Sequence, residues 1–155
     1  NCDSLINMIV AWKTLPGYSR EYQSSDAMMF HFDCDHNRFL KVFIYLEDVD
    51  NRTGPHVYIP KTCAKFRKNI HQNINRDGRL DNMEIYKANL VPIVMEGETG
   101  TIIFGDTHSL HRGTAVLGCK SRYILQLQFV DSLFGVESNL PLEVIKAMNP
   151  LCAKL

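Results

Sequence analysis

The stretch RYILQLQFV, from Arg122 to Val130, constrains the fold more than any other part of this chain. Its polarity alternates with a strict period of two. Arg122, Ile124, Gln126 and Gln128 fall on one face of a strand, and Tyr123, Leu125, Leu127 and Phe129 on the other. A wholly apolar face opposite a face carrying an arginine and two glutamines fits a barrel wall. Such a wall has a dry outer side and a wet interior that receives polar side chains.

Further short β-rich runs bounded by turn residues precede it. They are AMMFHFD, LKVFIYLEDV, HVYIP, LVPIVM, TIIFGD and LHRGTAVL. Gly54 and Pro55 in NRTGP, and the glycines of EGETG, punctuate them. Helical patterns are fewer. LINMIVAWKTL near the start predicts a helix over 5–15. DNMEIYKAN opens on an Asp81–Glu84 capping-box pattern, and LPLEVIKAM carries Pro141 at its first turn. Many short strands with a few flanking helices indicate an all-β barrel or sandwich. Residues 61–90 make an excursion between the barrel strands, a candidate lid. Its first part, 61–79, is basic, with Lys61, Lys65, Arg67, Lys68, Arg76 and Arg79 against Asp77.

The length of 155 residues suits one domain, 1–155, with a single sizeable core. The formal net charge is zero, which removes any global electrostatic case for nucleic acid or an anionic membrane surface. No apolar run is long enough for a membrane-spanning helix. The chain starts at Asn1 without a basic, then apolar, leader, and two expectations stand: an internal piece of a longer protein, or a minimal form. The cysteines Cys2, Cys34, Cys63, Cys119 and Cys152 are odd in number, widely spaced and without a CxxC pair. Free thiols in a reducing cytoplasm are the expectation.

The chemistry centres on HFD, His31 to Asp33. On a strand, His31 and Asp33 share a face while Phe32 turns the other way. A second histidine would complete the two-histidine, one-carboxylate facial triad of non-haem iron(II) oxygenases. The candidates are His36, His56, His71, His108 and His111. His36 follows too closely, in a turn; His71 lies in the basic excursion; His56 opens a strand just after TGP; His108 falls in a loop. His111 is favoured, because it begins a strand and has Gly113 two residues on, leaving room beside a metal. Arg122 then points into the wet interior, where a buried guanidinium needs an anion. The far carboxylate of a dicarboxylic acid chelating the iron would supply one.

In order and spacing, HFD, RFLKVFIYLEDVDNRTGPHVYIP, GTIIFGDTHSLHRG and SRYILQLQF together resemble the phytanoyl-CoA dioxygenase family, from about Ala27 to Phe129. The resemblance implies a mainly β, double-stranded β-helix (jelly-roll, cupin-like) barrel. It also implies an Fe(II)- and 2-oxoglutarate-dependent dioxygenase that hydroxylates an unactivated C–H bond of a small-molecule or lipid-like substrate. Dioxygen is consumed, and succinate and CO2 are released. By this resemblance His31, Asp33 and His111 hold the iron and Arg122 binds the distal carboxylate of 2-oxoglutarate. Lys41 and Phe43 lie on a strand facing the co-substrate. Related halogenases lack the carboxylate ligand, so Asp33 implies hydroxylation or a related oxidation. The turn KTC at Lys61 to Cys63 departs from the GSH-like turn common in the family, and the chain is short before HFD. The rival readings are a cupin-like metalloenzyme that uses no 2-oxoglutarate and a metal-binding barrel without activity.

Overall fold

A computed structural model of the chain describes residues 4–17, 28–63, 79–133 and 138–148. The central strand is β7 (Arg122–Val130), hydrogen-bonded on one side to β1 (Leu5–Thr14) and on the other to β2 (Phe39–Tyr45). A fourth strand, β5 (Ile102–Gly105), pairs with the free edge of β2, giving an antiparallel sheet of order β1-β7-β2-β5. Burial along β7 follows the sequence pattern. Arg122, Ile124, Gln126, Gln128 and Val130 are buried, and the residues between them are half-buried. The face carrying the polar groups is thus the inner one.

The second sheet is smaller. β3 (His56–Tyr58) lies between β4 (Ile93–Met95) and β6 (His111–Arg112), all antiparallel. Phe30 and His31 extend it. His31 bridges His111, with N–H to carbonyl distances of 3.0 and 3.1 Å in the two directions, and Phe30 bridges Leu80. The sheets meet through Phe43, Tyr45, Ile103 and Ile124, with Met95 of β4 packed against them. The fully buried Tyr45 hydroxyl donates to the Met95 carbonyl at 2.6 Å and accepts from the His56 N–H at 3.3 Å. A second cluster, Phe30, Val57, Ile59, Leu80, Ile85 and Leu110, fills the space under α1 (Asn82–Lys87).

The helix expected over 5–15 is a strand. Its β-branched Ile6, Ile9, Val10 and Thr14 and its Trp12 suit a pleated surface. The period of two is hidden because the register with β7 slips between Ile6 and Met8, leaving Asn7 as the extra residue of a bulge. The slip leaves apolar residues at helix-like intervals. On the open side of β1, the Asn139 side chain stands in for a strand. Its Nδ2 donates to the Ile9 carbonyl at 2.7 Å and its Oδ1 accepts from the Ile9 N–H at 3.1 Å. The other two helices form where expected. Asp81 caps α1 by accepting from the Glu84 N–H at 2.9 Å, and α2 (Leu142–Met148) starts after Pro141 and packs against β1. The glutamate of the capping-box pattern pairs with Lys87 at 3.2 Å.

Gly54 holds a positive φ of 79°, and a Cβ there would lie 2.6 Å from the Thr114 carbonyl oxygen, so this turn requires glycine. Cys34, Cys63 and Cys119 form no disulfide among the described residues. Most of the basic excursion read as a solvated loop or a candidate lid, with Lys65, Arg67, Lys68, His71 and Arg76, lies outside the described residues. No helix among the described residues is long and apolar enough to cross a membrane.

Replacing Tyr45 by Phe removes one buried hydroxyl and leaves the Met95 carbonyl and the His56 N–H without that partner. The expected cost is about 1–3 kcal/mol, read as a lower urea midpoint at unchanged slope. An unchanged midpoint would show that this link between the sheets contributes nothing.

Candidate metal centre and its cavity

The bridge between His31 and His111 sets the site. Residues that exchange both backbone hydrogen bonds across an antiparallel pair project to the same side. The ring centroids of His31 and His111 lie 4.3 Å apart. Asp33 follows two residues after His31, with its N–H donating to the Thr107 carbonyl at 2.9 Å. Each imidazole donates its Nδ1–H to a carbonyl two residues earlier, Met29 at 2.8 Å and Ser109 at 2.9 Å. That leaves both Nε2 atoms facing the carboxylate. His31 Nε2 is 3.6 Å from Asp33 Oδ1, and His111 Nε2 is 3.3 Å from Oδ2. One ligand atom from each of the three residues lies within 4.8 Å of the others, a group that could hold a metal ion.

The protonation states suit that donor set. Burial, helped by the neighbouring His111, pushes His31 down to about 4, so its ring is neutral near pH 7. Burial alone would raise Asp33. The hydrogen bond and charge of His111, with the Lys41 ammonium, outweigh it and hold the carboxyl far below the usual carboxylate range. Lys41, from β2, reaches Asp33 Oδ2 at 2.6 Å and Asp35 Oδ2 at 2.9 Å. Its ammonium is shared between these two acids, and it lines the cavity along with Phe43.

The cavity measures about 620 Å³, within the range of small-molecule sites. His31, Asp33 and His111 lie in its wall, and Arg122 and Gly113 line it too. Arg122 is buried. Its Nη2 donates to Thr14 Oγ1 at 2.9 Å, while Nε and Nη1 are buried with no partner. A guanidinium stays charged even where burial lowers its pKa, as it does here, so a positive charge faces the cavity with donors to spare.

All six residues singled out in the sequence therefore border one cavity. His108 does not: its ring nitrogens engage Asp106 Oδ1 at 2.8 Å and the His36 carbonyl at 3.1 Å. Two contributions are not foreseen from sequence. Met8, Trp12 and Thr14 reach the cavity from β1, and Trp12 Nε1 donates to Gln126 Oε1 at 2.9 Å. The strand that the bulge disguises is the one that carries them. His56, set aside for its place after TGP, also lines the cavity, with its ring 4.8 Å from Phe43 and 5.6 Å from His111. Tyr58 pairs with His111 across β3 and β6, so the residue two before it faces the same way. Only that non-local pairing reveals His56. Burial first, then the charges of His111 and Arg122, push the His56 imidazole down to about 3.

No protein-family model and no curated protein sequence matches this chain. Solved structures do. The chain is similar to SnoN, a non-haem α-ketoglutarate-dependent epimerase from nogalamycin biosynthesis, with TM-score 0.55 and 15% identity over 83% of this chain and 47% of that one. It is similar to SnoK, a non-haem α-ketoglutarate-dependent carbocyclase from the same biosynthesis, with TM-score 0.54 and 15% identity over 81% of this chain and 50% of that one. AviO1 from Streptomyces viridochromogenes Tue57 matches with TM-score 0.54 and 13% identity over 84% of this chain and 52% of that one. At these identities the likeness is one of fold. The chain spans about half the length of the structures it matches.

The depressed histidines predict an acid-sensitive fold in the metal-free protein. As pH falls through about 6.5, the unfolded chain takes up protons on His31 and His56. The folded chain does not until their lowered values of about 4 and about 3. Stability is therefore complete above the unfolded value and is lost as pH falls below it. The urea midpoint is expected to drop between about pH 7 and about pH 5. A flat profile over that interval would contradict buried, neutral imidazoles.

Proposed function

We propose that this chain is an Fe(II)- and 2-oxoglutarate-dependent dioxygenase of the phytanoyl-CoA dioxygenase kind. It hydroxylates an unactivated C–H bond of a small-molecule or lipid-like substrate and releases succinate and CO2. The observation that carries the reading is the pairing, in one cavity, of the His31–Asp33–His111 cluster with the unpartnered donors of Arg122. The residues fit an iron(II) ion by donor type: two imidazole nitrogens and one ionised carboxylate suit a divalent first-row metal with open positions. They fit a dicarboxylate by charge, since the buried Arg122 nitrogens lack an anion. The rival readings, a metalloenzyme that uses no 2-oxoglutarate and an inactive metal-binding barrel, give that arginine no fixed task.

The jelly-roll reading is supported by the order of pairing. Among the described residues, seven strands and the bridged segment at Phe30 and His31 make eight members in two antiparallel layers. The fold likeness to two α-ketoglutarate-dependent enzymes supports the chemistry.

Iron(II) with 2-oxoglutarate supplies the dioxygen activation needed to oxidise an unactivated C–H bond. The protein's own groups do the rest. His31 and His111 present Nε2, each ring oriented by its Nδ1–H on a backbone carbonyl. Asp33 supplies the compensating charge, and Lys41 orients it from the other side. Arg122, steadied by Thr14, takes the distal carboxylate. Phe43 gives an apolar wall, and Gly113 keeps side-chain bulk away from the co-substrate.

Replacing Arg122 with Met keeps the length of the side chain and removes its charge. Loss of a charge-assisted contact to a carboxylate predicts a rise in the KM for 2-oxoglutarate of about tenfold or more. Steady-state succinate release is the readout. Wild-type release of succinate with the same KM in Arg122→Met would contradict the role of Arg122, and no succinate release by wild type would contradict the function.

A further inference from the structure

His56 is a polar group in the cavity for which the chemistry above gives no task. It is 7% exposed, and its Nε2 is buried with no hydrogen-bond partner. A buried polar nitrogen without a partner is uncommon in a folded protein, and where one lines a cavity a ligand is the ordinary explanation. The other two histidines of the cavity differ. Each spends one ring nitrogen on a backbone carbonyl and turns the other to Asp33.

Its position narrows the ligand. The ring is held between walls the co-substrate would touch. Phe43 lies 4.8 Å away, and His111 lies 5.6 Å away with an interplanar angle of 23°. His56 stands outside the His31–Asp33–His111 group, so it is not part of that ligand set. The same cavity holds Arg122, whose Nε and Nη1 are also unpartnered. Unused donors on a cation, beside an unpartnered imidazole nitrogen that donates in one of its two tautomers, describe a receptor for an anion with several acceptor oxygens. On the reading of the site as a 2-oxoglutarate oxygenase, that anion is the co-substrate.

We propose that His56 is a co-substrate-binding residue whose imidazole N–H donates a hydrogen bond to a carboxylate oxygen of 2-oxoglutarate, alongside Arg122. The inference rests on the proposed function and adds a second protein donor to it. The arginine supplies the charge, and the histidine supplies a directed neutral donor held in place by flanking rings.

The test is calorimetric titration of 2-oxoglutarate into Mn(II)-loaded protein, with Mn(II) affinity measured separately. His56→Phe keeps a ring against Phe43 and His111 but removes the donor. His56→Gln keeps a donor and removes the ring. The expected result is Mn(II) affinity unchanged in both variants. The Kd for 2-oxoglutarate should rise about ten- to a hundredfold in His56→Phe, the span of a hydrogen bond to a charged group. In His56→Gln it should stay within about threefold of wild type, since a donor remains. Wild-type binding matched by His56→Phe would overturn this inference and leave the proposed function standing. Equal losses in both variants would assign His56 to packing and would also overturn it. Should His56→Phe lose Mn(II), the Gln variant decides: weak 2-oxoglutarate binding there overturns the proposal. Wild-type protein that binds Mn(II) but not 2-oxoglutarate would overturn both readings.

Discussion

The site depends on one backbone pairing. His31 and His111 stand 80 positions apart in the sequence and exchange two N–H to carbonyl hydrogen bonds at 3.0 and 3.1 Å. This pairing brings two imidazoles to the same side of the small sheet. It also carries Asp33, two residues on, to the cavity wall. The same two residues join the segment at Phe30 to β6, so assembly of the sheet and assembly of the candidate metal centre are one event. Side-chain detail follows from it: with each Nδ1–H committed to the carbonyl two residues earlier, both Nε2 atoms face Asp33.

The inner face is arranged around charge. Lys41 shares its ammonium between Asp33 and Asp35, so the negative end of the cavity is partly neutralised by the protein itself. A divalent cation beside Asp33 would share that carboxylate with Lys41, whose second acid, Asp35, keeps the ammonium partnered. At Arg122 the balance runs the other way. Thr14 satisfies one nitrogen and leaves a buried positive charge with two nitrogens unpartnered. One cavity thus has a cation-ready corner and an anion-ready wall, with Phe43 and His56 lining it as well. On the proposed reading, a metal ion answers the first and the far carboxylate of a chelating dicarboxylate the second.

Much of this is legible in sequence, and the failures have physical causes. The alternation in RYILQLQFV reads directly because β7 is a regular central strand whose two faces meet different surroundings. HFD reads because alternate residues of an extended segment share a face, although the strand expected over AMMFHFD is in its described part only a pair of isolated bridges at Phe30 and His31. The N-terminal strand does not read, since the bulge at Asn7 breaks its period and leaves helix-like spacing. That error hides Met8, Trp12 and Thr14, and with them the group that steadies Arg122. His56 escapes for another reason. Its orientation depends on β3 lying beside β6, a pairing between segments more than fifty residues apart that no local pattern encodes. His111 is preferred over His108 on local grounds, and the two residues do part company: one faces the cavity, and the other is held by Asp106 and the His36 carbonyl.

The central claim is that His31, Asp33 and His111 hold an iron(II) ion to which 2-oxoglutarate is drawn by Arg122. Its most direct test is anaerobic addition of Fe(II) and then 2-oxoglutarate, followed by visible absorption. The account predicts a weak charge-transfer band in the wild-type protein that is lost in His111→Ala. A wild-type protein that takes up Fe(II) and shows no band with 2-oxoglutarate would contradict it.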